Sequence, residues 1–565
     1  MREDPRGASR SPASRSRDAL RRALLVLNAF VPGALAGTFL AGLLFFLNPL
    51  WPFEPGPVAR AVARYGALLG SVSLVAILPW IWRRPARSRW VVPWALVGVF
   101  SIAGAAAWIH AARFSLYLPP GINQRLIKAA LWLSLAGLIA FYTLLAHVVR
   151  RRALGLRSRL GLGVLAALTV YAVFERREAF DPPRDAAPRP SSIESLRRPS
   201  LLVVGLSSAS LDVILPLAEK GQLPFFGELL RGGAYGRLTS LEPTRSRPLW
   251  STLVTAKLPF RHGVVADRVY SAHFVDPGAE FRLVPVGMGF ERWGLVGGVL
   301  PQSEHGSLRS LPLWTIVERL GLEALPVGWP DGAAGTTGLD PTVRGEPDSA
   351  PPAAAPGLEA DLARDVEALR GAGRWLADRE ARGPRLAFVH LPALEQISRR
   401  TFGGFSAVQF SGRQDPESVA AARSLGRAYA LVDDQLGRLW HSLPEPRILA
   451  VLSPYGIREA AAWERWLSLS PRSGVLEGRI GGAPDGVFLL RGPGIQAGYF
   501  LSRPSLVDVV PTLLYSMGFP AALDFDGRVL TEAFTADFLA RHPLSFVPSY
   551  ETTRGRVGAP AGAPR

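Results

Sequence analysis

The chain has 565 residues, 48% of them hydrophobic, no cysteine and a formal net charge of +18. That length holds several domains and a large core, and the missing thiols exclude disulfides, thiolate catalysis and Cys-ligated zinc. Of the 64 basic residues only Lys128, Lys220 and Lys257 are lysine. The basic residues cluster beside apolar runs, so a lipid bilayer accounts for them and nucleic acid is not expected as a partner.

Residues 1–22 carry seven Arg among Ser, Pro and Gly and are expected to form a disordered basic arm. A membrane domain over residues 23–174 follows. Its apolar runs cover residues 23–47, 66–82, 90–109, 129–149 and 160–174. The first is too long for the apolar core of a signal peptide and lacks a clear cleavage site, so it reads as a retained helix. Trp51, Trp80, Trp82, Trp90 and Trp94 stand near the ends of these runs, as interfacial aromatics do. Basic residues alternate between the connections. The arm is rich, Arg60 and Arg64 are sparse, and Arg83, Arg84, Arg87 and Arg89 are rich again. Arg113, Arg125 and Lys128 are sparse, and the final group of Arg150, Arg151, Arg152, Arg157 and Arg159 is rich. This alternation places the N-terminus in the cytoplasm, and five crossings place everything after Phe174 outside it, at the cell membrane. The alternative is four crossings, because the fifth run is the weakest. His110 and His147 lie near helix ends and are expected to be solvated at the interface.

Residues 175–200 form a Pro-rich linker, expected to be extended. A soluble domain over residues 201–550 follows, and residues 551–565 are a Gly/Pro tail expected to be disordered. Within the domain, strand-like runs fall at residues 201–206, 324–327, 386–391, 448–452 and 487–490. Helical patterns separate them, which predicts an α/β domain with a mainly parallel central sheet. Pro326 weakens the second run. Residues 331–357, rich in Gly, Ala and Pro, read as a flexible insertion. Gly205 and Gly456 are expected at tight strand-to-helix turns.

The domain opens with LLVVGLSSASLDVILPLAEKGQLPFFGELLRGGAYG, a buried strand, a Ser-rich turn and a helix. In open α/β sheets, chemistry sits beyond the carboxyl ends of such strands. PTRSRPLWSTLVT follows, then AYALVDDQLGRLWHSLPEPRILAVLSPYG, DGVFLLRGPGI and LVDVVPTLLYSMGFP with DGRVL. On these segments the domain resembles the alkaline phosphatase superfamily, closest to its type I phosphodiesterase/nucleotide pyrophosphatase branch. Five helices ahead of such a domain also resemble, in architecture alone, the lipid-linked phosphoethanolamine transferases.

The resemblance implies a hydroxyl nucleophile, two divalent metal ions, usually zinc, and phosphoryl-transfer chemistry. Carried over position by position, Ser246 falls at the nucleophile. The first metal-binding Asp is replaced by Ser207. The Asp and His after the middle strand fall on Glu395 and Arg399, the next Asp-His pair on Pro454 and Tyr455, and the final His near Gly482. Only Ser246 and Glu395 retain a donor suited to a metal, and Arg399 brings a positive charge. No metal cofactor is therefore expected.

Ser246 also reads as an ordinary helix N-cap with Pro248 just inside the helix, and no motif places a base to deprotonate it. His262 reads as structural, and His273, His305, His390 and His441 lack metal-ligand spacing. A rewired site from His390 and Glu395 is the remaining metal alternative. The reading is a membrane-anchored pseudoenzyme that binds or scaffolds a phosphorylated lipid, glycan or envelope protein. The alternatives are an active phosphodiesterase or phosphotransferase using Ser246, and a membrane-assembly component.

Overall fold

The computed structural model describes residues 12–51, 53–85, 88–174, 198–286, 290, 294–300, 308–330, 358–378, 383–461 and 476–551. The first eleven residues of the basic arm, nearly all of the linker, the insertion at 331–357 and the tail beyond Glu551 lie outside the described residues. The chain divides into two units, residues 1–181 with 268–305, and residues 182–267 with 306–565.

The first unit contains α1 (Pro12–Leu47), α2 (Pro55–Arg83), α3 (Ser88–Arg113), α4 (Pro120–Val149) and α5 (Leu156–Val173). All five have spans long and apolar enough to cross a membrane. In hydrocarbon no water satisfies backbone N–H and C=O groups, so apolar runs of this length close their hydrogen bonds as helices. α1 begins at Pro12, so the second half of the basic arm is helical. α5 begins at Leu156, which lengthens the short fifth run to 18 residues. Gly33 and Gly37, one helical turn apart, let α1 meet α2 backbone to backbone. A Cβ at Gly33 would stand 2.0 Å from the Leu69 carbonyl oxygen, and one at Gly37 2.2 Å from that of Tyr65. Such close approach is how small residues associate membrane helices, where no hydrophobic effect drives them together.

Residues 268–305 belong to this unit although the sequence places them inside the soluble domain. A short hairpin, Tyr270–Ser271 against Glu280–Phe281, packs Tyr270, Val275 and Phe281 with Phe45, Trp51 and Tyr65. Asn48 fastens it, accepting from the backbone N–H groups of Arg282 (2.7 Å) and Leu283 (3.1 Å) and donating to the Leu283 carbonyl (2.9 Å). Trp51 donates to the Glu280 carbonyl, and Arg60 to that of Val275 at 2.7 Å. His110 is buried rather than solvated. It donates to the Ala106 carbonyl and accepts from Val286 N–H at 2.8 Å. His147 donates to the Thr143 carbonyl at 2.8 Å and meets Ser158 at 3.1 Å.

The second unit is built on a seven-stranded sheet. Its strands are β1 (Ser200–Leu206), β2 (Ala234–Leu238), β3 (Glu323–Val327), β4 (Arg385–Leu391), β5 (Arg447–Ser453), β6 (Gly486–Arg491) and β7 (Tyr499–Leu501). The spatial order is β7-β2-β6-β5-β1-β4-β3. β5, β1, β4 and β3 run parallel. β6 is antiparallel to both β5 and β2, so the sheet is mixed rather than uniformly parallel. β1 lies centrally and is buried on both faces, which is why its sequence is continuously apolar. β3 is an edge strand, the one sheet position where Pro326 costs no ladder bond on a second neighbour.

Candidate functional site

The sheet's parallel strands deliver the expected residues to one edge. Ser207 directly follows β1, Tyr455 follows β5, and Glu395 is on helix Ala393–Ser411 just after β4. Ser246 opens helix Ser246–Thr255. It is the first helical residue and makes no capping bond, so the N-cap reading is corrected. Arg245 is the N-cap, and Asp267 accepts from Arg247 N–H at 2.8 Å in the capping role.

Three of these residues form one chain of hydrogen bonds. Glu395 Oε2 accepts from the Tyr455 hydroxyl at 2.9 Å, and Ser246 Oγ lies 2.6 Å from the same hydroxyl. The ionised carboxylate can only accept, so Tyr455 donates to Glu395 and accepts from Ser246. Arg399 closes the other end, with Nε 2.8 Å and Nη2 2.6 Å from Glu395 Oε1. Both carboxylate oxygens are thus engaged. Burial, with Glu395 beside it, pushes the Tyr455 phenol well above its usual range. Tyr455 is therefore no base for Ser246.

Ser207 is bonded to a different partner. Its Oγ is 2.9 Å from His390 Nε2, and His390 Nδ1 is 2.9 Å from the Gly328 carbonyl. The carbonyl can only accept, so His390 carries its proton on Nδ1 and accepts from Ser207. Burial pushes His390 down to about 4 and keeps it neutral. Ser208 takes the left-handed conformation (φ 62°) that turns the chain off the strand. Gly205 is not itself in the turn. It lies in β1 under the indole of Trp250, whose ring carbons would stand 2.8 Å from an added Cβ. Trp250 also meets His390 at 4.7 Å, Trp329 at 5.1 Å and Tyr455 at 6.5 Å between ring centroids. Gly456 likewise marks a close approach, to Pro484 at 3.1 Å from an added Cβ.

The outlying positions are separate. Pro454 occupies the turn after β5 and has no side-chain donor. Gly482 (φ 65°) neighbours Arg458, 3.5 Å from an added Cβ, and carries no link to the chain of bonds. His262 is structural, fully buried between Thr252 (3.0 Å) and Val264 N–H (3.2 Å) and pushed by burial down to about 3. His273 is exposed, His441 pairs with Glu228 at 3.3 Å, and His305 lies outside the described residues. His390 and Glu395 each spend their donors elsewhere, so they do not form the rewired pair.

The sequence reading passed over Trp250, Trp329 and Asp365. Trp250 stands four residues after Ser246, one helical turn, and that spacing placed it on the same face. Asp365 accepts from Ala393 N–H at 3.0 Å at the start of the helix bearing Glu395, and burial pushes its carboxyl up to about 7.

A dinuclear metal centre needs about three protein donors per ion. The residues present do not fit one. Pro454 and Gly482 offer no side-chain donor, both oxygens of Glu395 are taken, and an indole packs against Ser207's partner and Tyr455. Among the described residues no three His, Asp or Glu side chains group around one point.

Residues 201–480 match the family model for type I phosphodiesterase / nucleotide pyrophosphatase. This stretch is a type I phosphodiesterase-like domain of the alkaline phosphatase superfamily. Among solved structures, the phosphodiesterase-like chain is similar to murine ectonucleotide pyrophosphatase/phosphodiesterase 5, inactive and in complex with AMP. That match has 14% identity and a TM-score of 0.40, over 60% of this chain and 100% of that one. The human protein matches at 13% identity and TM-score 0.40, over 60% and 100%. A putative sulfatase from Bacteroides thetaiotaomicron matches at 14% and 0.39, over 60% and 74%. No curated protein sequence matches the chain.

Proposed function

We propose that this is a multi-pass membrane protein whose phosphodiesterase-like domain stands outside the cytoplasm and binds rather than cleaves. The observation that supports this reading is the closed bond chain Ser246–Tyr455–Glu395–Arg399, which consumes the nucleophile position and the one retained carboxylate. Arg399 keeps a side chain 38% exposed at the end of that chain, offering a guanidinium to a phosphorylated lipid, glycan or envelope protein. The alternation of basic residues along the helices supports the orientation. So does residue Phe174, which leaves α5 against Gly42 near the far end of α1, as an odd number of crossings requires.

The test is elemental analysis of the purified full chain with assays on generic phosphodiesters. Zinc, manganese and calcium are expected far below one ion per chain, with no hydrolysis that Ser246→Ala abolishes. Near-stoichiometric metal with chelator-sensitive, Ser246-dependent turnover would replace this reading with an active phosphodiesterase. A reporter fused after Ser200 is expected to be active only outside the cytoplasm, and one fused after Arg84 only inside. Cytoplasmic signal from both would remove the five-crossing topology.

A further inference from the structure

The membrane helices do not fill the space between them. They leave a groove of about 550 Å³, open on the side where Val72 and Ile102 are exposed, whose lining includes Phe39 of α1, Leu69 of α2, Ile102 of α3 and Leu133 of α4. Among the described residues every side chain that lines it is alanine, aliphatic or phenylalanine. Phe290 and Leu295 of the segment inserted from the phosphodiesterase-like domain also line it. They are held by polar bonds. The Leu295 carbonyl accepts from the Tyr65 hydroxyl at 2.8 Å, and Val286 N–H donates to His110 at 2.8 Å.

We propose that this groove holds one acyl chain of a membrane phospholipid. An apolar cavity gives water no partners; one of ~150 Å³ stays dry and takes up benzene. Scaled by volume, 550 Å³ accommodates a chain of roughly 20 carbons, one long acyl chain and not two. A protein helix, about 10–12 Å across with its side chains, is too bulky for the space. A free fatty acid brings a carboxylate that no lining side chain among the described residues can pair. In the hydrocarbon layer the esterified chain is both the abundant solvent and the best chemical match. Its occupancy would stabilise the inserted segment through Phe290 and Leu295. The proposal rests on the reading of α1–α5 as membrane spans.

The experiment uses the full chain in nanodiscs containing phosphatidylglycerol with a diazirine at the end of one acyl chain. After irradiation, peptides bearing Leu133, Leu126 or Leu295 are expected to carry several-fold more adduct than lipid-facing Val75. Ala103→Phe and Ala106→Phe each place a ring in the groove, and either should lower the Leu133 adduct about tenfold while leaving the Val75 adduct unchanged. Equal labelling of inner and outer positions, or no response to both variants, overturns the proposal. So does stronger inner labelling by a free fatty acid with the same diazirine. Release of the chain from native membranes by alkaline carbonate overturns the membrane reading itself, whatever the groove does.

Discussion

Replacing Trp250 by alanine tests whether aromatic packing has taken over the site. The indole is 1% exposed and touches Gly205, His390, Trp329 and Tyr455. Truncating a buried Trp or Phe to Ala costs about 3–5 kcal/mol, from lost transfer energy and the cavity left behind. Gly205 supplies no Cβ and the flanking strands are pinned by ladder bonds, so collapse is limited and the upper half of that range is expected. Water entering the cavity would also relieve the desolvation that holds His390 at about 4, letting its pKa climb toward 6.5. Pulse proteolysis of the full chain across a urea gradient, read on a fragment of the soluble domain, reports the loss. Indole at a hundredfold its Kd should restore about 2.7 kcal/mol, and zinc should restore nothing. A variant within about 1 kcal/mol of the wild type, or a wild type that zinc itself stabilises, would refute the packed-site argument.

Tyr455→Phe removes the donor to Glu395 and the acceptor for Ser246, and is expected to cost about 2–3 kcal/mol, whereas Ser246→Ala should cost less than about 1. The same proteolysis assay checks the order, and equal losses would break the relay as drawn. Asp365, 6% exposed, has its carboxyl raised from 3.8 to about 7, so the folded chain holds a proton that the unfolded chain has released. Stability from this group therefore falls as pH rises from about 4 to 7, and Asp365→Asn should gain up to about 4 kcal/mol on the wild type at pH 8 and little at pH 4. His390, lowered from 6.5 to about 4, works the other way. It is neutral when folded and protonates when unfolded, so its contribution is lost as pH falls from 6.5 toward 4.

The fold was legible where one physical demand dominates a segment. β1 and β4 are buried on both faces and announce themselves as apolar runs, that of β4 broken only by His390 after its opening Arg385. The five spans are legible for the same reason. The convergence of Ser207, Ser246, Glu395 and Tyr455 followed from strand order and the resemblance. What the sequence concealed depends on long-range pairing. Nothing in residues 268–305 signals that Asn48, Tyr65 and His110, more than 170 positions away, would bind its backbone. Trp250 read as an ordinary apolar helix residue, because its ring partners come from other elements. The N-cap reading of Ser246 failed because its hydroxyl has a stronger partner in Tyr455 than in the helix backbone.

On the proposed reading, charge accounting gives a reason for ligand positions to change together. Metal-binding carboxylates and imidazoles crowded at one sheet edge repel one another unless cations neutralise them. Losing the ions while keeping the ligands would leave several buried charges unpaired, each a severe desolvation cost. On the proposed reading, Ser207 and Pro454 stand where carboxylates would be and Tyr455 where an imidazole would be. Glu395 pairs with the Arg399 guanidinium at 2.6 Å, and a second carboxyl, Asp267, lies close enough to feel both Glu395 and Arg245 and is raised by burial. His390 adds no charge, because burial keeps it neutral. Restoring one acid, as in Ser207→Asp, would place an unpaired carboxylate beside His390 and Trp250. The triple variant Ser207→Asp, Pro454→Asp and Tyr455→His is expected to bind zinc more tightly than either the wild type or Ser207→Asp alone, which elemental analysis of the purified chains checks; equal zinc in all three would break the reasoning.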